Sequence, residues 1–255
     1  MEIEGKVALV TGAGACGTGR AIARALGERG AAVVVNDLDE GGAETVRLIE
    51  ETGGKAAFVR ADITREDEIR AAIEFAVVTF GGLDVLVNNA GGTPRPHFPD
   101  APVEHWSRTL DLNLRGPMLA IQLALPEMRR RGAGAIVNIS SVAGIGWQPH
   151  SSPEYSAAKA GLARLTATLA PLAEQDRVRV NCIVPNWIGT AEVLAEIEAM
   201  TPEERAEVPE VPTTPAEIAE QAVELIENES LAGRVFIWWT GQKPKAVPLD
   251  ELPGA

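Results

Sequence analysis

The chain has 255 residues, 45% of them hydrophobic, which is enough for a sizeable core and excludes a disordered segment. Lys and Arg number 23 against 36 Asp and Glu, a formal charge of −13 that is poorly suited to nucleic-acid phosphates and is read as a solubility device. The two cysteines, Cys16 and Cys182, form no C-x-x-C pair, so neither a disulfide framework nor a zinc ribbon is expected.

The start, Met1-Glu2-Ile3-Glu4, lacks the basic, apolar pattern of a secretory signal. No run approaches the ~20 apolar residues of a membrane span. The expectation is a cytoplasmic protein with no membrane partner.

Short apolar runs recur along the chain at Val7–Val10, Ala32–Val35, Ala57–Val59, Leu83–Val87, Ala135–Ile139, Val178–Ile183 and Val235–Trp238. The early runs are nearly all apolar rather than alternating, as in strands covered on both faces of a parallel sheet. The intervening stretches read as helices. One runs from Thr64 to Phe80, with Thr64 as its cap, Asp67 at the third position and Gly81 after its end. Another covers residues 154–174. Such alternation predicts a doubly wound α/β sheet in a single domain over residues 1–255. The Pro/Glu-rich stretch 201–217 is read as a surface excursion.

Directly after the first strand comes Thr11-Gly12-Ala13-Gly14-Ala15-Cys16-Gly17-Thr18-Gly19, and then a helical stretch. Glycines let the backbone approach a pyrophosphate, and the following helix directs its free N–H groups at that anion. Asp37 ends the second strand, 20 residues after Gly17. A carboxylate there can accept hydrogen bonds from the adenosine ribose and would repel a 2′-phosphate, so NAD is expected rather than NADP. The other reading of Asp37 is a turn or cap residue, since Asp39-Glu40-Gly41-Gly42 follows.

Three further motifs follow in order: Asn88-Asn89-Ala90-Gly91 after the fourth strand, Asn138-Ile139-Ser140-Ser141 at the fifth, and Tyr155-Ser156-Ala157-Ala158-Lys159 on a helix. With the glycine loop, these closely resemble the short-chain dehydrogenase/reductase family over residues 5–240. The resemblance implies a seven-stranded parallel sheet with helices on both faces, assembled as a homodimer or homotetramer. It also implies a catalytic set of Ser141, Tyr155, Lys159 and Asn113. Asp62 and its neighbour Ile63 match the family's adenine-contacting segment. Asn89, Ala90 and Gly91 match the stretch along the adenosine ribose. Pro185, Ile188 and Thr190 match the residues about the nicotinamide carboxamide. Residues 191–212 correspond to a mobile substrate lid.

The chemistry is consistent with those assignments. Tyr155 and Lys159 are four apart and share a helix face. A free phenol, with a pKa of about 10, is a poor base at neutral pH. A nearby ammonium and the positive charge of oxidised nicotinamide both favour the phenolate. Tyr155 then exchanges a proton with the substrate oxygen, Ser141 hydrogen-bonds that oxygen, and Asn113 holds a water linking Lys159 to solvent. Tyr155 is the only tyrosine in the chain.

No His-Glu-x-x-His occurs and the histidines (His97, His105, His150) are scattered, so no metal site is expected. His150, between Ser141 and Tyr155, belongs either to a loop facing substrate or to an ordinary loop. Ser141 sits in no Gly-x-Ser-x-Gly elbow, which argues against a hydrolase.

Several positions depart from the family pattern. The glycine loop and the Ser141–Tyr155 interval are each one residue longer than usual, and Ser140 is the alternative serine. Asn186 replaces the usual Gly after Pro185, and Trp238-Trp239-Thr240-Gly241 replaces a Val-Asp-Gly-Gly ending. Residues 241–255 form a Pro-rich tail. The function expected is NAD(H)-dependent interconversion of a secondary alcohol and a ketone, acting on a small molecule. The alternative is a nucleotide-binding scaffold or redox sensor with little catalysis. Trp147 and Trp187 hint at an apolar substrate, a 3-oxoacyl thioester or a bulky cyclic ketone.

Overall fold

A computed structural model describes residues 1–146, 150–205 and 208–248. The elements run β1 (Val7–Thr11), α1 (Thr18–Glu28), β2 (Ala32–Asp37), α2 (Gly42–Glu50), β3 (Lys55–Arg60), α3 (Glu66–Phe80), β4 (Val85–Asn88) and α4 (Val103–Leu110). A π-helical turn at Asp111–Arg115 leads into α5 (Gly116–Arg131), β5 (Gly134–Ile139) and a short 3₁₀ turn at Val142–Gly144. The rest are α6 (Pro153–Thr168), α7 (Leu172–Gln175), β6 (Val178–Pro185), α8 (Ala191–Glu198), α9 (Pro202–Arg205), α10 (Pro215–Glu227), β7 (Val235–Trp238) and β8 (Lys245–Ala246).

One sheet carries all eight strands in the order β3-β2-β1-β4-β5-β6-β7-β8. The first seven pair in parallel, as expected. β8 adds a two-residue antiparallel edge, with Lys245 opposite Ile237. The apolar strand runs are explained by burial on both sides. In β1, Ala8 and Val10 join the core formed with α1 and α10, while Val7 and Leu9 join the core formed with α3 and α5. No helix among the described residues is long and apolar enough to cross a membrane.

The chain reverses direction of travel across the sheet between β1 and β4, which both pair with one another. In open α/β sheets a crevice forms there, beyond the carboxyl ends of the strands. Thr11, Asp37, Asn88, Ile139 and Pro185, the last residues of β1, β2, β4, β5 and β6, all end at that edge.

Local expectations needed correction at several places. Thr64 does not cap α3. Its hydroxyl and N–H both donate to Asp62 Oδ1 (2.7 and 2.9 Å), and the helix begins two residues later with Arg65 at the cap position. The stretch 154–174 is not one helix, since α6 ends at Thr168 and α7 is a separate turn. The stretch 201–217 is not all excursion. Pro215 opens the buried α10, where Thr214 and Glu217 form a reciprocal cap. The tail likewise supplies β8 rather than only a polar end. Trp147 lies outside the described residues.

Candidate active site

The glycine loop follows β1 at the crevice. Gly12 has φ +64°, a conformation that favours glycine, and a side chain there would press to 2.7 Å from Ala90 Cα. A side chain on Gly19 would collide with the Gly12 carbonyl oxygen, so α1 can approach the loop closely only with glycine at that position. At the tip of the loop Gly17 N–H turns back to Ala15 O (2.9 Å) and Cys16 is exposed. Gly17 is thus the cap residue of α1, and no side chain caps that helix. Its first N–H groups are left to an outside acceptor.

Asp37 stands at the rim of this loop. Its Oδ2 accepts from Gly14 N–H at 2.7 Å and its Oδ1 from Asp39 N–H at 3.1 Å. The opposite side of the loop is held by residues that sequence reasoning did not single out. Arg20 donates to Gly14 O (2.5 Å), to Gly41 O (3.3 Å) and to Thr45 Oγ1 (2.9 Å), and Thr45 Oγ1 donates to Ala13 O (2.7 Å). Nothing local in Gly-Arg-Ala or Glu-Thr-Val announces this clasp, because its acceptors are main-chain carbonyls from other segments.

β1 and β4 are tied end to end. Thr11 Oγ1 accepts from Asn89 N–H and Ala90 N–H, both at 3.1 Å. Asn89 Nδ2 donates to Thr11 O (2.9 Å) and Gly12 O (3.0 Å). Ile63 is buried, and half-buried Asp62 uses Oδ1 on Thr64. On the far side, Pro185 ends β6. Ile188 pairs with Thr213 in an isolated bridge. Thr190 caps α8 by accepting from Val193 N–H (3.3 Å). The Thr190 methyl lies 3.6 Å from where a Gly17 side chain would begin, so this segment overhangs the glycine loop.

The remaining set gathers between β5 and α6. Ser141 Oγ accepts from Ala143 N–H (3.2 Å) and stands close enough to the Tyr155 hydroxyl to draw its pKa down. The longer Ser141–Tyr155 interval therefore does not keep the serine away. Ser140 is turned elsewhere, donating to Lys159 O at 2.7 Å. Burial pushes the Tyr155 phenol above its ordinary value, and the bond from Ser141 partly offsets the rise. Lys159 is 3% exposed. Its amine donates to Ile139 O at 2.9 Å and sits 5.5 Å from the Tyr155 ring centre. Burial lowers its pKa from 10.5 to about 8, and in this arrangement it is not what sets the phenol.

Asn113 lies fully buried in the π-helical turn, a feature often found at functional sites. Its Nδ2 donates to Gly92 O (2.7 Å) and Thr109 O (2.9 Å), and its Oδ1 accepts from Gly92 N–H (3.0 Å). Gly91 separates Asn113 from Lys159, since a side chain there would begin 2.7 Å from Asn113 Oδ1 and 3.0 Å from Lys159 Nζ.

A second group backs this wall, of which sequence reasoning had singled out only His150. Ser152 Oγ donates to Glu154 Oε1 (2.7 Å) and meets Thr93 Oγ1 (2.9 Å). Ser152 N–H donates to His150 Nδ1 (3.1 Å), and the His150 ring stacks on Tyr155 with centres 5.7 Å apart.

These residues fit a dinucleotide. The open α1 terminus suits a pyrophosphate, glycines clear its approach, and Asp37 presents a carboxylate at the rim of the loop.

Comparison with known proteins agrees with the geometry. Residues 6–201 match the family profile described as short chain dehydrogenase. The chain is 41% identical over 236 residues to the cis-4-hydroxycyclohexanecarboxylate dehydrogenase of Sinomonas cyclohexanicum, covering 89% of this chain and 94% of that one. It is 41% identical over 211 residues to 3beta-hydroxysteroid dehydrogenase 1 of Eggerthella lenta, covering 80% of each. A solved structure of 7 alpha-hydroxysteroid dehydrogenase, complexed with NADH and 7-oxo glycochenodeoxycholic acid, superposes with a TM-score of 0.86 at 33% identity, over 94% of this chain and 95% of that one. The chain belongs to the short-chain dehydrogenase/reductase family. It is accordingly an oxidoreductase of hydroxyl-bearing carbon that uses a nicotinamide coenzyme.

Proposed function

We propose that this protein uses NAD(H) to interconvert a ring-borne secondary alcohol and the corresponding ketone, with Tyr155 as general acid and base. The observation that carries the reading is the grouping of Ser141, Tyr155 and Lys159 at the carboxyl edge of the sheet, beside a glycine loop with Asp37 at its rim. Ring substrates are favoured because the relatives named above act on a hydroxycyclohexane and on steroids, two of these compounds being carboxylic acids.

Bound nicotinamide would supply the two-electron donor or acceptor, held by the α1 terminus, by Asn89 to Gly91, and by Pro185, Ile188 and Thr190. Asp37 would take the adenosine ribose hydroxyls. A 2′-phosphate would bring a dianion against that carboxylate, which favours NAD. Asp62 and Ile63 would border the adenine.

In ketone reduction Tyr155 gives its proton to the carbonyl oxygen. A phenol raised by burial stays protonated through neutral pH, which suits that role. Ser141, which already draws the Tyr155 pKa down, then steadies the phenolate. Lys159, with a pKa of about 8, exchanges its own proton near neutral pH and so can resupply the tyrosine. Asn113 holds Gly92 in the loop after β4, next to the Gly91 that stands between Asn113 and Lys159.

In this reading residues 191–212 are the substrate lid of a single catalytic domain. The Arg95–Glu196 ion pair (2.7 Å) links α8 to the loop after β4 across the crevice. Exposed Val103, Leu110 and Met118 along α4 and α5 suit assembly as a homodimer or homotetramer.

The test is NADH oxidation, with NADPH alongside, against cyclic ketones and 3-oxoacyl thioesters, with Tyr155→Phe in parallel. Turnover with NADH that the variant loses supports the reading. Near-normal turnover by Tyr155→Phe would sink it. NADH binding with no turnover of any ketone would favour a nucleotide-binding scaffold instead.

A further inference from the structure

We propose that His150 is a substrate-recognition residue whose Nε2–H donates a hydrogen bond to a carboxylate on the ring substrate. The inference rests on the alcohol–ketone reading and narrows the substrate class to anionic cyclic compounds. The first support is position. The imidazole lies against the face of Tyr155, with ring centres 5.7 Å apart and planes 24° apart. A substrate whose reacting oxygen meets the Tyr155 hydroxyl must carry its remaining ring atoms past that neighbour.

The second support is orientation. The hydrogen on a peptide nitrogen is fixed by the backbone, and that of Ser152 points at His150 Nδ1 over 3.1 Å. Ser152 O also lies 3.2 Å from Nδ1; when Nδ1 accepts from Ser152 N–H the ring proton is on Nε2, on the side away from Ser152. His150 is exposed, so that N–H is accessible. Ser152 is itself fully buried and anchored through Glu154 and Thr93, which makes the mounting rigid.

The third support is charge. A chain of formal charge −13 repels anions at long range, so an acidic substrate needs a donor within the site. Among the described residues, the amine of Lys159 is buried on Ile139 O and Arg95 holds Glu196, whereas His150 is exposed beside Tyr155.

The experiment measures binding of cyclohexanecarboxylate and of its methyl ester by calorimetry, with NADH in excess. Wild type, His150→Phe and His150→Gln are compared. Phe keeps a flat ring for the Tyr155 face but has no N–H, and Gln keeps a donor. The expected result is a tenfold to hundredfold loss of acid binding in His150→Phe, about the range of a hydrogen bond to a charged group. The ester should change by less than twofold, and Gln should restore part of the loss. Equal losses on acid and ester, or no loss on either, would overturn the proposal. NADH-dependent reduction of 4-oxocyclohexanecarboxylate is followed on the same samples. Its absence, with His150-dependent acid binding intact, counts against the redox reading and still supports the recognition role.

Discussion

Replacing Lys159 with Met should make the protein more stable at neutral pH while removing its turnover. Lys159 is 3% exposed, and burial lowers its pKa from 10.5 to about 8. Below pH 8 the folded chain must hold a charged amine that water would hold far more readily. A difference of that size corresponds to about 3 kcal/mol of folding free energy. That cost is fully present below the folded pKa and disappears as pH rises from about 8 towards 10.5, because over that window the unfolded chain binds more protons than the folded one. Met matches the lysine stem in shape but leaves Ile139 O without the amine, a loss of about 1 kcal/mol. The net gain at pH 7 is therefore about 2 kcal/mol. For a chain of this length it should appear as a rise in Tm of roughly 4 to 8 °C. Urea unfolding of both proteins at pH 7 and pH 10 checks the sign, since the variant's advantage should be large at the first and small at the second. A variant less stable than wild type at pH 7, or an advantage equal at both pH values, would refute the argument that a buried charge is being carried for function.

Tyr155→Phe should lower turnover by about 10² to 10⁴, the span of general acid–base contributions, while NADH binding followed by fluorescence stays within twofold. Because burial raises the Tyr155 phenol, ketone reduction should be flat through neutral pH and alcohol oxidation should climb with pH; a pH–rate series in both directions reads this. Asp37→Asn should raise kcat/KM with NADPH by at least tenfold relative to NADH, the charge repulsion of a few kcal/mol at ~4 Å being removed; steady-state kinetics with both coenzymes decides it. Arg20→Gln should weaken NADH binding severalfold with little change in kcat at saturation, since it releases the Gly14 and Gly41 carbonyls but touches no part of the Ser141–Tyr155–Lys159 group.

Much of the fold was legible because a parallel sheet buried on both faces leaves a strong local mark. Val7 to Val10 are apolar in unbroken succession since alternate residues pack against different helix layers. Boundaries were less legible where a polar side chain had more than one local arrangement open to it. Thr64 reads as a helix cap, yet its hydroxyl is drawn to Asp62. Pro215 reads as part of a loop, yet it opens a buried helix whose cap is made by Thr214 and Glu217. β8 was invisible, because two residues of Lys-Ala carry no periodicity and pair only where β7 offers an edge.

For the candidate site, residue types and spacing nominated the glycine loop, Asp37 and the Tyr155–Lys159 pair, and the family resemblance added Ser141 and Asn113. The sequence also left His150 open between two readings. What it could not specify was how Arg20 and Thr45 clasp the lengthened loop, or how Thr93 anchors Ser152 behind His150. Nor could it specify the depressed amine of Lys159. Each depends on carbonyls and burial contributed by segments distant in the chain. Hydrophobic periodicity and motif spacing are properties of neighbours in sequence, and these determined the class of fold and the kind of chemistry. Protonation, side-chain anchoring and loop shape are properties of neighbours in space, and only the packed sheet with its helices decided them.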